Sequence, residues 1–239
     1  DLDIHCGGID NAFPHHTNEI AQSESYLGHK WCNYWFHVHH LNTDHGKMSK
    51  SKGEFLTVSL LEQKGYDPLV YRLFCLQSHY RKKRVGSWEN LDNAAAAYDK
   101  LIGKIAALTP DGGQVDQAAF DGLKEKFVAA LNGDLNTSLA VTAVYDVLKA
   151  KTNDATKLAA LADFDRVLSL NLLEAAKRRE KQAAEAAASA DPEIDGLVAA
   201  RTAAKKEKNF AEADRIRDEL KARGIEIIDT PQGAKWRRV

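Results

Sequence analysis

A chain of 239 residues, 44% hydrophobic, with 33 lysines and arginines against 34 aspartates and glutamates, has ordinary globular composition and room for one large or two to three small domains. Its near-zero net charge excludes a polybasic nucleic-acid tail or an acidic solvating chain, but not local basic patches. No apolar run approaches the roughly 18 residues needed to span a bilayer, and no secretory leader opens the sequence, so a soluble protein with no membrane partner is expected.

Residues 2–5 alternate as a strand, Cys6-Gly7-Gly8 turns, and 14–27 has the composition of a helix with Pro14 in its first turn. Strand, glycine turn and helix make an α/β unit. The aromatic, alternating stretch 33–41 reads as a second strand, and 44–53 as a loop rich in Gly, Lys and Ser. From Thr57 the period becomes helical. Asp67-Pro68 caps a helix bearing Leu69, Leu73 and Leu76, and Leu91, Ala94, Tyr98, Leu101, Ile105 and Leu108 form the next stripe. Three further amphipathic helices run through Phe120, Leu123 and Phe127, through Leu139, Val144 and Leu148, and through Leu158, Leu161 and Leu168, which together predict a bundle. Residues 174–190 lose the stripe to alanine and charge and read as a solvated helix tail or linker. Asp191-Pro192 opens a compact terminal unit: two helices, Gly224 as a C-cap, and a strand 225–229 that pairs back with 234–238 across a Pro231-Gln232-Gly233 turn.

Three widely spaced cysteines, Cys6, Cys32 and Cys75, argue against a disulfide framework and for a reducing, cytoplasmic setting. The chain opens on Asp1 with a strand already in progress, so the natural protein is expected to begin upstream.

Two clusters carry chemistry. His15 and Glu19, four apart on a helix, face the same way and suit one metal ion, although the same spacing serves a surface pair worth a few tenths of a kcal/mol. His5, His16, His37, His39, His40 and His45 crowd the same stretch, as either a metal site or a histidine-rich wall requires. Lys47-Met48-Ser49-Lys50-Ser51 puts two cations on a Gly-flanked loop able to fold over a polyphosphate and neutralise a leaving group.

That pentapeptide, together with Asp3-Ile4-His5-Cys6-Gly7-Gly8-Ile9-Asp10, the run from Phe13 to Ser23, Ser78-His79-Tyr80-Arg81, Asp134-Leu135-Asn136-Thr137 and the run from Pro231 to Arg238, resembles the second half of a class I cysteinyl-tRNA synthetase over the whole chain. The resemblance implies the C-terminal part of a Rossmann-type catalytic domain over 1–62, a connecting stem-contact region over 63–110, a helical bundle over 111–188 and a small α+β anticodon-binding domain over 191–239, mostly α overall. It implies cysteine activation by ATP to cysteinyl-adenylate and transfer to cysteine tRNA, by a cytoplasmic monomer. His15 and Glu19 would be two ligands of a zinc ion that binds the substrate thiolate, the other two being cysteines upstream. Gly7, Gly8 and Asp10, with His5 beside them, would line the adenosine site. Lys50 would be the principal ATP-phosphate lysine and Lys47 its assistant. The four consecutive cations Arg81-Lys82-Lys83-Arg84 fit contact with the tRNA stem, a solvated surface being nearly as good a reading, and by the resemblance Lys205, Phe210, Asp214, Asp229, Trp236 and Arg237 would contact the anticodon.

Departures from the family pattern are Cys6 for glycine, Thr17 for glutamate, Lys52 for leucine and Glu54 for asparagine. A small buried thiol is expected of Cys6. The family's His-x-Gly-His string occurs nowhere in the 239 residues, so this chain alone is expected not to form the adenylate. The alternatives are a non-catalytic tRNA-binding fragment and a cysteine ligase acting on an amino sugar. For Phe210 and Trp236, a core role in the small unit is as good a reading as stacking.

Overall fold

A computed structural model describes residues 1–43, 46–47, 57–109, 112–189, 191–207, 209–230 and 233–238, with backbone alone at 43, 46–47, 186–189, 229–230, 233, 235 and 237–238. The chain divides into two compact units, Asp1–Arg179 and Glu180–Val239.

The first unit opens with β1 (Leu2–Gly8), parallel to β2 (Cys32–Val38), with α1 (Thr17–Leu27) in the crossover between them. The helix starts at Thr17, three residues later than its composition predicts, because Phe13 is extended (φ −143°, ψ 133°) and breaks the helical path ahead of Pro14. The second predicted strand is also divided. It stops at Val38, His39 donates its N–H to the Tyr80 carbonyl at 2.9 Å, and the chain resumes as β3 (Leu41–Thr43). β3 pairs antiparallel with β4 (Gly46–Lys47) and parallel with β5 (Arg84–Val85).

Helices α2 (Val58–Gln63), α3 (Pro68–Leu76), α4 (Trp88–Ala106), α5 (Gln117–Asn132), α6 (Thr137–Lys149), α7 (Asp154–Leu168) and α8 (Leu172–Ser189) follow. The first six are opened by side-chain caps from Thr57, Asp67, Ser87, Asp116, Asn136 and Asn153, each accepting from a free N–H of the first turn. Thr156 is fully buried and ties two of these starts together. Its hydroxyl donates to Asn153 Oδ1 at 2.6 Å and accepts the Asp116 N–H at 2.8 Å. The stripes of α3 to α7 and the first turns of α8 close one core, at whose centre the Phe127 and Phe164 rings stack 4.2 Å apart. Leu139, which the periodicity places in that core, is exposed; Ala140, Val141, Val144 and Val147 are the buried residues of α6.

The second unit contains α9 (Pro192–Lys206), α10 (Phe210–Ala222) and a hairpin of β6 (Ile225–Thr230) and β7 (Gly233–Arg238), packed around Ile194, Val198, Ile216, Leu220 and Ile225. Among the described residues no helix is long and apolar enough to cross a membrane.

Phe164 is wholly buried against its stacked partner, so Phe164→Ala should cost about 3–5 kcal/mol of stability. Urea unfolding followed by circular dichroism measures it.

Candidate functional site

Alternation along β1 turns His5 and Gly7 toward α1 and leaves Ile4 and Cys6 on the other face. The register sets His5 beside Trp35 and Gly7 beside His37. Gly7 is needed because a Cβ there would lie 2.7 Å from His16 Cε1, so the missing side chain makes the space for the His16 ring. At Gly8 a Cβ would stand 2.5 Å from the Asp10 carboxylate.

His16 is buried, and its Nδ1 lies 2.9 Å from His37 Nε2, one ring donating and the other accepting. Burial, followed by the charge of His5, pushes its pKa down, so it is neutral near pH 7. Glu19 holds two histidines: Oε2 lies 2.8 Å from His5 Nε2, and Oε1 lies 3.2 Å from His15 Nε2. Trp35 packs edge-on to His5 at 4.9 Å and lies 5.0 Å from His16. His5, which the resemblance sets beside the adenosine-lining residues, bonds Glu19, and His40 stands near Asp10, with its Nε2 3.3 Å from Oδ1. Cys6 is exposed rather than buried, because it faces away from α1.

A nitrogen and an oxygen 3.2 Å apart at His15 and Glu19 suit the donor chemistry of zinc. The structure adds to them His5 and His16, whose donor atoms lie with that of Glu19 within 4.8 Å of one another. Sequence spacing alone misses His16 and His40. The histidine density was the available signal, but choosing among them requires the strand register.

Of the phosphate-loop residues, Lys47 contributes its backbone to β4, opposite Asn42. Its side chain, and all of Met48, Ser49, Lys50 and Ser51, lie outside the described residues.

Arg81 is held in an ion pair. Its Nε donates to Asp134 Oδ2 at 2.6 Å, and the Tyr80 hydroxyl donates to Oδ1 of the same carboxylate at 2.5 Å. Hydrogen bonds from Arg81 and then Tyr80 hold the Asp134 carboxyl below the usual range. Tyr80 also stacks on Phe36 of β2 with ring centroids 4.3 Å apart.

In the second unit Phe210 is 62% exposed, whereas Trp236 packs on the core and donates Nε1–H to Asp195 Oδ1 at 2.7 Å. Asp214 pairs with Arg217 Nη1 at 2.9 Å, and Lys205 is exposed near the end of α9. The side chains of Asp229 and Arg237 lie outside the described residues.

Residues 1–96 match the class I (C) tRNA synthetase catalytic domain, and residues 187–237 match the cysteinyl-tRNA ligase anticodon binding domain. The chain belongs to the cysteinyl-tRNA synthetase family. It is 40% identical to the cysteine–tRNA ligase of Novosphingobium aromaticivorans over 99% of its own length and 50% of that protein, and 43% identical to that of Halorhodospira halophila over 99% and 52%. It thus spans about half the length of the curated relatives it matches. A solved LeuRS–tRNA–LeuAMS ternary complex from Agrobacterium radiobacter K84 shares the fold over 74% of this chain and 27% of that one, with TM-score 0.52 and 16% identity.

The depressed Asp134 carboxyl stabilises the fold above the ordinary carboxylate range, and that contribution is lost as pH falls through its native value. Asp134→Asn should lower the urea midpoint at pH 7 and flatten its decline from about pH 4 downward. An unchanged acid limb would show that the Arg81 and Tyr80 contacts do not hold the charge.

Proposed function

We propose that the chain is the part of a cysteine–tRNA ligase that supplies the ATP-phosphate loop, one side of the amino-acid pocket and the anticodon-reading unit. The observation that carries this is the pairing, in one chain and in family order, of a class I synthetase catalytic segment with a cysteinyl-type anticodon-binding segment. The outer face of β1 and β2 supports it too. Ile4 is 60% and Tyr34 70% exposed there, and parallel sheets of α/β proteins are normally covered on both faces.

In this reading the substrates are ATP, L-cysteine and cysteine tRNA. The cysteine carboxylate attacks the α-phosphate, the bond to pyrophosphate breaks, and the terminal ribose hydroxyl of the tRNA then takes the cysteinyl group from AMP. No protein nucleophile is needed, so this chain's residues act by position and charge. Lys50 and Lys47 neutralise the departing pyrophosphate. Gly7 and Gly8 let backbone approach the adenosine, and Asp10, steadied by His40, accepts hydrogen bonds from its ribose. His15 and Glu19 would hold a zinc ion, a borderline-soft Lewis acid that prefers a thiolate to a neutral hydroxyl and finds no donor in a methyl group.

In the second unit the exposed Phe210 ring is a stacking platform, and Lys205 and Arg237 supply cations for phosphates. Asp229 and Asp214 accept from base edges, Asp214 on release from Arg217. Trp236 supports this surface from the core. Arg81, tied to Asp134, shapes the basic segment 81–84 against the tRNA stem. A cytoplasmic monomer is the expected working form.

Binding of the chain to cysteine tRNA across a salt series, beside the same tRNA with altered anticodon bases, tests the proposal. Preference for the native anticodon should persist at higher salt, and Phe210→Ala should weaken binding by about 1–3 kcal/mol. Equal and steeply salt-sensitive binding to both RNAs would overturn the anticodon assignment.

A further inference from the structure

We propose that Arg84 is the phosphate-binding arginine of the basic segment 81–84, gripping a backbone phosphate of tRNA, and that Arg81 is a structural member of that segment. The inference rests on tRNA as the partner and names the residue that meets it. Arg81 is already taken. Its Nε donates to Asp134 Oδ2 at 2.6 Å and its Nη2 to Oδ1 at 3.4 Å, so a phosphate reaches it only by displacing a carboxylate.

Arg84 is in the opposite condition. Its guanidinium lies over the Phe74 ring, with Cζ 3.9 Å from the centroid, and Phe74 is buried. Its Nε is sealed from water without a hydrogen-bond partner, and among the described residues no carboxylate pairs with it. The group of opposite sign that acts on it is the Cys75 thiol, whose pKa is raised by desolvation, so that thiol is uncharged near pH 7. A cation–π contact with phenylalanine offsets only part of the cost of taking a guanidinium out of water. Desolvation pulls the Arg84 pKa below its ordinary value, yet an arginine stays charged at pH 7. The fold thus carries an uncompensated cation, which an anion from outside the chain completes.

The backbone holds this cation in place. Arg84 pairs with Leu41 and Val85 with Asn42 in the β3–β5 ladder. The Gly86 N–H donates to the Asn42 carbonyl at 2.7 Å, and Asn90 Nδ2 donates to the Val85 carbonyl at 3.1 Å. With its backbone fixed and its stem stacked, Arg84 loses little freedom on binding, and its planar fork matches two phosphate oxygens. Lys82 and Lys83 beside it are exposed and, among the described residues, also without an ion-pair partner. Unmatched cations in succession suit a polyanion that presents phosphates in series, whereas a protein carboxylate would answer only one of them.

The test is the affinity of the chain for cysteine tRNA across a salt series, measured by fluorescence anisotropy, with urea unfolding of each variant alongside. Arg84→Met keeps an apolar stem on Phe74 and removes the charge. It should weaken binding about tenfold and lower the slope of log K against log salt by about one. Arg84→Lys, which keeps the charge without the fork, should recover only part of that loss. The double variant Arg81→Met with Asp134→Asn, which removes a matched pair, should change affinity less than about threefold. The urea midpoint of Arg84→Met should stay the same or rise, because an unpaired cation has left an apolar ring. A lower midpoint with unchanged binding would make Arg84 a structural residue and overturn the proposal, as would a double variant that loses as much affinity as Arg84→Met. The anticodon preference of the unmutated chain is read in the same titrations. Its absence beside a full Arg84 effect would overturn the anticodon assignment and leave this inference standing, and its presence with no Arg84 effect would do the reverse. Failure of the unmutated chain to bind either RNA would overturn both.

Discussion

The register of β1 on β2 is the constraint on which the catalytic part of the chain depends. With His5 opposite Trp35 and Gly7 opposite His37, two strand positions meet α1, and the Gly7 gap admits the His16 ring. A slip of one residue would turn Ile4 and Cys6 inward and send His5 to the other face. The helix-side packing opposes that slip: His16 is buried against both strands, and Glu19 reaches His5 from α1. The register and the side-chain cluster therefore specify each other.

Tyr80 passes this arrangement on to the helical core of the first unit. Its ring stacks on Phe36, its carbonyl accepts from His39 where β2 stops, and its hydroxyl reaches Asp134 between α5 and α6. Asp134 and Leu135 both have positive φ, 60° and 52°, which L-residues adopt at a cost. Arg81 and Tyr80 hold Asp134 from the far side of that turn, and the Thr137 hydroxyl donates to the Ser78 carbonyl alongside. Strand end, basic segment and bundle turn are joined by one carboxylate.

The second unit separates two aromatic residues that composition makes alike. Trp236 is partly buried against the small core and has a partner for its N–H, so it belongs to that core. Phe210 lies three residues before buried Ala213 on the face that continues to Ile216 and Leu220, yet it is exposed, because the core ends before the first turn of α10 does. The charges of this helix are largely matched on its own surface, with Arg215 between Glu212 and Glu219 and Arg217 beside Asp214. Surface pairs of that kind contribute little to stability, so they can be exchanged for contacts with a partner.

Periodicity, caps and turn residues determined the helices and the terminal hairpin from sequence, because these signals are local: Asp67-Pro68, Asp191-Pro192 and the 3.6-residue stripes act within a turn or two. The motif strings determined the family for the same reason, being contiguous. What the tertiary structure decided was nonlocal. Phe13 delays α1, Leu139 stays in water, His5 meets Glu19, and Arg81 is taken up by a carboxylate 53 residues away. Each of these outcomes depends on which distant side chain occupies the facing space. Strand register and helix packing set that, and the spacing of residues along the chain does not.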